Sequence, residues 1–172
     1  ILMIADEIQS GMARAGAVFA CDLVDVQPDV RILGKALGGG LLPVSAITAD
    51  WSVLGVIAPG QHGSTFGGNP LAAAVGIKVV ELMETSGLAD RSRRLGEHVL
   101  TTLRGANLAG IKEIRGSGLW WAVELDGTGR TGREVSLELL GRGILAKDTH
   151  TWTIRFAPPL VISEADLDHA LT

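Results

Sequence analysis

Three apolar runs of four or five residues, each closed by a polar group or by glycine, most constrain what this chain can fold into. Ile1-Leu-Met-Ile-Ala5 ends at Asp6, Val30-Arg-Ile-Leu33 ends at Gly34-Lys35, and Val44-Ser-Ala-Ile-Thr48 is entered through Pro43. Runs this short suit buried strands rather than helices, and continuous apolarity is the pattern of a parallel sheet covered on both faces. Polar groups at strand ends are the usual place for chemistry in open α/β sheets. Gly38-Gly39-Gly40 then reads as a loop that allows close backbone approach.

Helical spacing takes over downstream. Asn69-Pro70 is an N-cap followed by proline at the first helical position, which predicts a helix over 70–85. A second amphipathic helix is expected over 88–103. After Gly105 the pattern changes again. Strands are expected over 111–115, 119–125, 143–146 and 151–156, and helices over 134–140 and from Ser163 onward. The expected fold is α/β. Residues 1–104 read as part of a mostly parallel-sheet domain and residues 105–172 as a smaller α+β domain.

Composition narrows the partners. The chain has 172 residues, 47% hydrophobic, with net charge −4 and no polybasic run, which speaks against nucleic acid and anionic membrane. No apolar stretch reaches the length of a membrane span. Cys21 is the only cysteine, so no internal disulfide forms, and a reducing, cytoplasmic setting is expected. His62, His98, His150 and His169 are never at metal-ligand spacing, and no metal site is expected. Cys21 is expected to be a small buried side chain, and one of Trp120 and Trp121 to be core.

Four groups can do chemistry. Asp6-Glu-Ile-Gln9 follows the first strand, where a carboxylate can pair with a cationic ring nitrogen or simply cap the next turn. Lys35 sits in Leu33-Gly-Lys-Ala-Leu-Gly-Gly-Gly40. There it is either a desolvated nucleophilic amine or a strand-end lysine reaching solvent. Gly34-Lys35 is not a P-loop, because Asp29 stands where the upstream glycine is required. Gly63-Ser-Thr-Phe-Gly-Gly-Asn-Pro70 offers Ser64 and Thr65 to an anion, or forms an ordinary turn. Arg155, in Thr153-Ile-Arg-Phe-Ala-Pro-Pro159, needs an anion, either a substrate carboxylate or an internal acid.

Taken together, in this order and spacing, the four motifs resemble class III aminotransferases over nearly the whole chain. Gly34-Lys-Ala-Leu-Gly-Gly-Gly-Leu-Leu-Pro-Val-Ser-Ala46, Gly143-Ile-Leu-Ala-Lys147 and Ile154-Arg-Phe-Ala-Pro-Pro-Leu160 are most similar to the branch that transaminates ornithine. The acetylornithine branch shares the Gly-Ser-Thr-Phe-Gly-Gly-Asn-Pro stretch and usually differs around Lys35 and Arg155. The resemblance implies the cofactor pyridoxal 5'-phosphate (PLP) and a fold-type I large domain followed by a small domain. By the same resemblance Lys35 is the lysine that binds PLP covalently and moves the proton, and Asp6 holds the pyridine nitrogen protonated. Gln9 bonds the ring hydroxyl, Thr65 with Ser64 holds the phosphate across a homodimer interface, and Arg155 clamps a substrate carboxylate. The implied reaction moves the δ-amino group of ornithine to 2-oxoglutarate, in arginine catabolism and proline biosynthesis.

Family chains are roughly 400 residues long, so a separate N-terminal polypeptide is an expected partner. An apolar strand without a neighbour is an aggregation hazard, so the chain alone is expected to be poorly soluble. Two other readings stay open: an inactive remnant surviving as a binding module, and an aminotransferase for acetylornithine or 4-aminobutyrate.

Overall fold

The computed structural model describes residues 1–172 as two compact units, one of Ile1–Ala13 with Ala17–Gly87, the other of Arg14–Gly16 with Leu88–Thr172.

The first unit carries a three-stranded sheet in the order β1-β2-β3: β1 Ile4–Asp6, β2 Val30–Leu33 and β3 Ala46–Ala49. β1 runs parallel to β2, with Asp6 opposite Ile32. β3 runs antiparallel, with Leu33 opposite Ala46. The sheet is therefore mixed, not mostly parallel, because the link from β2 to β3 turns back within the glycine-rich loop. β1 is an edge strand with one neighbour; Ile1, Leu2 and Met3 before it and Ile4 within it are exposed and Ala5 is buried, where a buried run was expected. Two short 3-10 turns, Ala20–Val24 and Lys35–Gly38, and a four-residue helix α1, Trp51–Leu54, had no clear sequence signal.

The helix α2, Pro70–Thr85, starts where the sequence predicts. Asn69 Oδ1 accepts from Ala72 N at 2.9 Å, and Pro70 occupies the first turn. Such a cap contributes about 1 kcal/mol. α2 buries Ala72, Gly76 and Val79, a stripe at helical spacing. Val79 joins Met12, Leu33 and Leu37 in the core of this unit.

The second unit is a four-stranded antiparallel sheet in the order β4-β5-β7-β6, with helices α3, α4 and α5. β4 is Ile111–Ser117, β5 Trp120–Leu125, β6 Lys147–Thr149 and β7 Thr153–Phe156. The helices are α3 Leu88–Gly105, α4 Gly132–Gly141 and α5 Glu164–Leu171. The strand expected over 143–146 is absent. Gly143, at φ +84°, turns the chain out of α4, Ile144 N bonds Leu139 O, and the strand begins only at Lys147.

Leu95 and Val99 on α3, Leu119, Trp121 on β5 and Leu167 on α5 form a closed core, and Trp121 stacks on Phe156 at 5.4 Å. Each such large side chain contributes about 1.5–3 kcal/mol when buried. α3 lies very close to the β4–β5 turn: a Cβ at Gly96 would stand 2.1 Å from Gly118 O. Ser92 closes the same spot. Its Oγ donates to Arg14 O and accepts from Leu119 N, both at 2.9 Å. Arg14 Nη1 donates to Leu119 O at 2.8 Å and Pro158 O at 2.6 Å. Residues 14–16 are thus built into the second unit by hydrogen bonds to main chain. No helix is long and apolar enough to cross a membrane.

Candidate active site

The parallel pair β1–β2 places two of the chemistry-bearing groups at the same end of the sheet, the C-terminal ends of both strands. Asp6 is the last residue of β1 and pairs with Ile32, and Lys35 follows β2 by two residues. Glu7 N still bonds Ile32 O at 3.0 Å, after which the chain leaves the sheet. Ile8 N donates to Asp6 Oδ1 at 3.0 Å, which fixes the carboxylate in an Asx turn and leaves Oδ2 without a partner. Gly11 N bonds Glu7 O at 3.0 Å, closing a turn that contains Gln9. The Gln9 amide is half-buried and makes no hydrogen bond within the chain.

Glu7 holds this turn. It is 1% exposed, and its Oε2 accepts from Ser10 Oγ at 2.7 Å while Oε1 accepts from Cys21 N at 2.9 Å. Burial pushes its carboxyl pKa up, but the hydrogen bonds from Ser10, Cys21 and Ala20 together outweigh that and hold it below the ordinary glutamate value. The sequence reading passed over Glu7. The one sequence signal is strand periodicity: if the strand's alternation continues past Asp6, Glu7 falls on the same side as Ala5. Cys21 is half-buried rather than buried, and burial, with the adjacent Glu7 carboxylate, pushes its thiol pKa up. That keeps it protonated and a poor nucleophile.

Lys35 is exposed, as a strand-end lysine reaching solvent would be. The cause is local: Gly34 is fully extended, and Lys35 itself adopts φ +43°, so the side chain leaves the sheet at the strand end. A non-glycine residue in the left-handed region costs of order 1 kcal/mol and is concentrated at functional positions. The amine has no hydrogen-bond or ion-pair partner in the chain.

Ser64 and Thr65 lie in the exposed loop before α2. Ser64 Oγ accepts from Gly67 N at 2.7 Å, so it serves the turn, whereas the Thr65 hydroxyl is uncommitted. No hydrogen bond links either to Asp6 or Lys35. His62, in the same loop, is exposed and unpaired. Arg155 lies on β7 of the second unit, half-buried, and forms no ion pair, which removes the internal-acid reading of this residue. The first unit offers one free amine, one acid with a free oxygen and one free amide, and the second unit offers one unpaired guanidinium. Three histidine, cysteine or acidic side chains never cluster as they would around a metal ion.

The family model described as aminotransferase class-III matches residues 1–172. An ornithine aminotransferase from Halalkalibacterium halodurans is 53% identical over 171 residues, 99% of this chain and 42% of that protein. Among solved structures, the ornithine aminotransferase of Toxoplasma gondii, with partial PLP occupancy at its active site, superposes with TM-score 0.95 at 43% identity. This match covers 99% of this chain and 41% of that one. The acetylornithine aminotransferase of Elizabethkingia anophelis gives TM-score 0.93 at 44% identity, over 99% and 46%. The chain spans about two fifths of the length of the curated relatives it matches. With a match over its whole length and the family's motifs in order, the chain belongs to the class-III aminotransferases.

Proposed function

We propose that this chain is the C-terminal part of a PLP-dependent transaminase that moves the δ-amino group of L-ornithine to 2-oxoglutarate, giving glutamate semialdehyde and glutamate. The observation that carries the reading is the shared C-terminal end of the β1–β2 pair, where Asp6 and the unpartnered Lys35 emerge together. The groups present fit PLP: an amine without a partner, an acid with one oxygen free, and an uncommitted amide beside it. When bound, PLP supplies the electron sink that transamination needs.

Lys35 would hold the cofactor through its unpartnered amine, and the same amine is the group that would carry a proton to and from the reacting carbon. Ile8 N holds Asp6 Oδ1, so the carboxylate is fixed within the chain and its free Oδ2 would accept from the ring nitrogen. Gln9 donates to the ring hydroxyl. Thr65, with Ser64 holding the turn, binds the phosphate of a second subunit in a homodimer. Arg155 clamps a substrate carboxylate. In this reading 1–104 completes a large fold-type I domain and 105–172 forms the small domain. The free, half-buried Cys21 suits the cytoplasm. A polypeptide matching the remaining N-terminal part of the relatives completes the site.

The test mixes the chain with PLP, with and without that N-terminal polypeptide, and records cofactor absorbance and ornithine turnover. Absorbance that requires Lys35 and shifts with ornithine supports the reading. No Lys35-dependent absorbance in the complemented protein overturns it. The likeness to an acetylornithine aminotransferase keeps one second reading alive. Faster turnover of N-acetylornithine than of ornithine would select it.

A further inference from the structure

Residues directly opposite on antiparallel strands project from the same face of a sheet, with Cβ atoms about 5 Å apart. In the second unit one such row reads Arg115, Ala122, Arg155, Lys147 across β4, β5, β7 and β6. Three cations in a row are unfavourable unless acids intervene. Arg115 has its acids: Glu113 Oε2 and Glu124 Oε2 each stand 2.6 Å from Nη1. The other Glu124 oxygen is taken by Lys112 Nζ at 2.6 Å. Neither acid remains for the far end of the row.

Within this chain Arg155 has no carboxylate partner, and Lys147 directly opposite has a poor one. Lys147 Nζ stands 3.8 Å from Asp148 Oδ1, at the long limit of an ion pair, and Arg133 approaches the same oxygen at 3.4 Å. Asp148 pairs with Ile154, so it projects from the opposite face, the one that buries Trp121 and Ile154. The Lys147 side chain is 68% exposed on an edge strand and is free to swing back toward its own row. Between Arg115 and Arg155 stands Ala122, too small to fill the face.

We propose that Lys147 is a second carboxylate ligand, acting with Arg155 as a two-cation clamp for the carboxylate of an amino-acid or 2-oxo-acid substrate. The guanidinium supplies the planar fork that fits a carboxylate edge, and the ammonium supplies a mobile point charge recruited from Asp148. An anion between them relieves the repulsion along the row, so the clamp is stabilised by filling. The inference rests on the reading of Arg155 as a carboxylate ligand in a transaminase. It needs neither Lys35 nor PLP, so the two can fail separately.

The test is competitive acetylation of the chain by acetic anhydride, read lysine by lysine by mass spectrometry, with glutarate as the probe. Lys78 and Lys112, with side chains 67% and 64% exposed, are internal references. Labelling of Lys147 should slow by the factor 1 + [L]/Kd, about twofold at half occupancy, while Lys78 does not change. Chloride at matched ionic strength should not reproduce the effect. Arg155→Gln should abolish the protection. In parallel, glutarate should shift the Arg155 guanidinium NMR signal, with severalfold weaker binding in Lys147→Gln, which keeps the test decisive if Arg155→Gln does not fold. Lys147 labelling that is unaffected, or that slows in step with Lys78, overturns the proposal. So does an Arg155 titration that Lys147→Gln leaves unchanged.

Discussion

The two units differ in how completely they bury their own apolar surface. In the second, Leu95, Val99, Leu119, Ile154 and Leu167 are 2% exposed or less, and the tightest approach between elements is backbone to backbone. In the first, Ile4, Ile47, Trp51 and Phe66 are more than half exposed, and its sheet has only three strands. The residues with free amine, acid and amide groups lie in this less closed unit. Amide hydrogen exchange should show the difference directly, with β5 and α3 protected well beyond β1 and β3.

The largest effect is expected at Gly118. It sits at φ +56°, and a Cβ there would lie 2.6 Å from Arg14 O and Gly16 N. Main chain cannot yield as a side chain does, so Gly118→Ala should destabilise the second unit by about 3 kcal/mol or more. Thermal unfolding followed by tryptophan fluorescence, through buried Trp121, measures it. An unchanged midpoint would mean that residues 14–16 are not held as described. Leu95→Ala comes next. Removing a fully buried leucine from a closed core should cost about 2–5 kcal/mol. The same truncation at exposed Leu71 of α2 should cost under about 0.5 kcal/mol.

Glu7 reverses the pattern, since it is a fully buried polar anchor in the less closed unit. Glu7→Gln removes the charge and either sets an amide NH2 against Cys21 N–H or forces Ser10 Oγ to turn from donor to acceptor, and should cost about 1 kcal/mol or more. The sign with pH follows from the lowered carboxyl pKa. Its stabilisation is fully present above the unfolded-state value and disappears as pH falls through the folded-state value. The stability gap between the chain and Glu7→Gln should therefore narrow in acid, read from urea midpoints across pH. A gap constant down to strong acid would mean that Glu7 is not held ionised by Ser10 and Cys21.

Local signals explain which parts of this structure were legible in sequence. Asn69-Pro70 is a self-contained start signal, and α2 begins there. Thr131-x-x-Glu134 is an equally local capping box. Glu134 Oε2 accepts from Thr131 N at 2.7 Å, and overlooking that signal placed the start of α4 two residues late. The turn at Gly143 was misread as strand because Ile144-Leu-Ala146 has strand composition, while its conformation is set by a bond back to Leu139. The direction of β3 was not legible, because parallel and antiparallel neighbours of β2 need the same apolar residues. At the site, chemical type was legible from motif and spacing, as at Asp6 and Lys35. Exposure was not, because the apolar neighbours of Lys35 point elsewhere once its backbone turns left-handed. Ser92 and Arg14 were invisible, since their partners are backbone groups far along the chain.

The smallest stability effect is expected where the first unit is most open, and there the readout is solubility. Ile47 on β3 is 57% exposed and opposes Ile32 across the sheet. Threonine keeps the β-branched shape that a strand favours and replaces a methyl-bearing arm with a hydroxyl that water can satisfy. Ile47→Thr should therefore change the unfolding free energy by less than about 0.5 kcal/mol. Ile4→Lys on edge strand β1 adds a charge where an intruding strand would pair, and should act in the same direction more strongly. Soluble yield and light scattering on concentration separate the causes. If Ile4→Lys raises solubility and Ile47→Thr does not, the open edge of β1 drives association. If Ile47→Thr alone raises it, the exposed sheet face does. If neither changes it, the apolar surface of the first unit does not limit solubility, and the contrast between the units concerns stability alone.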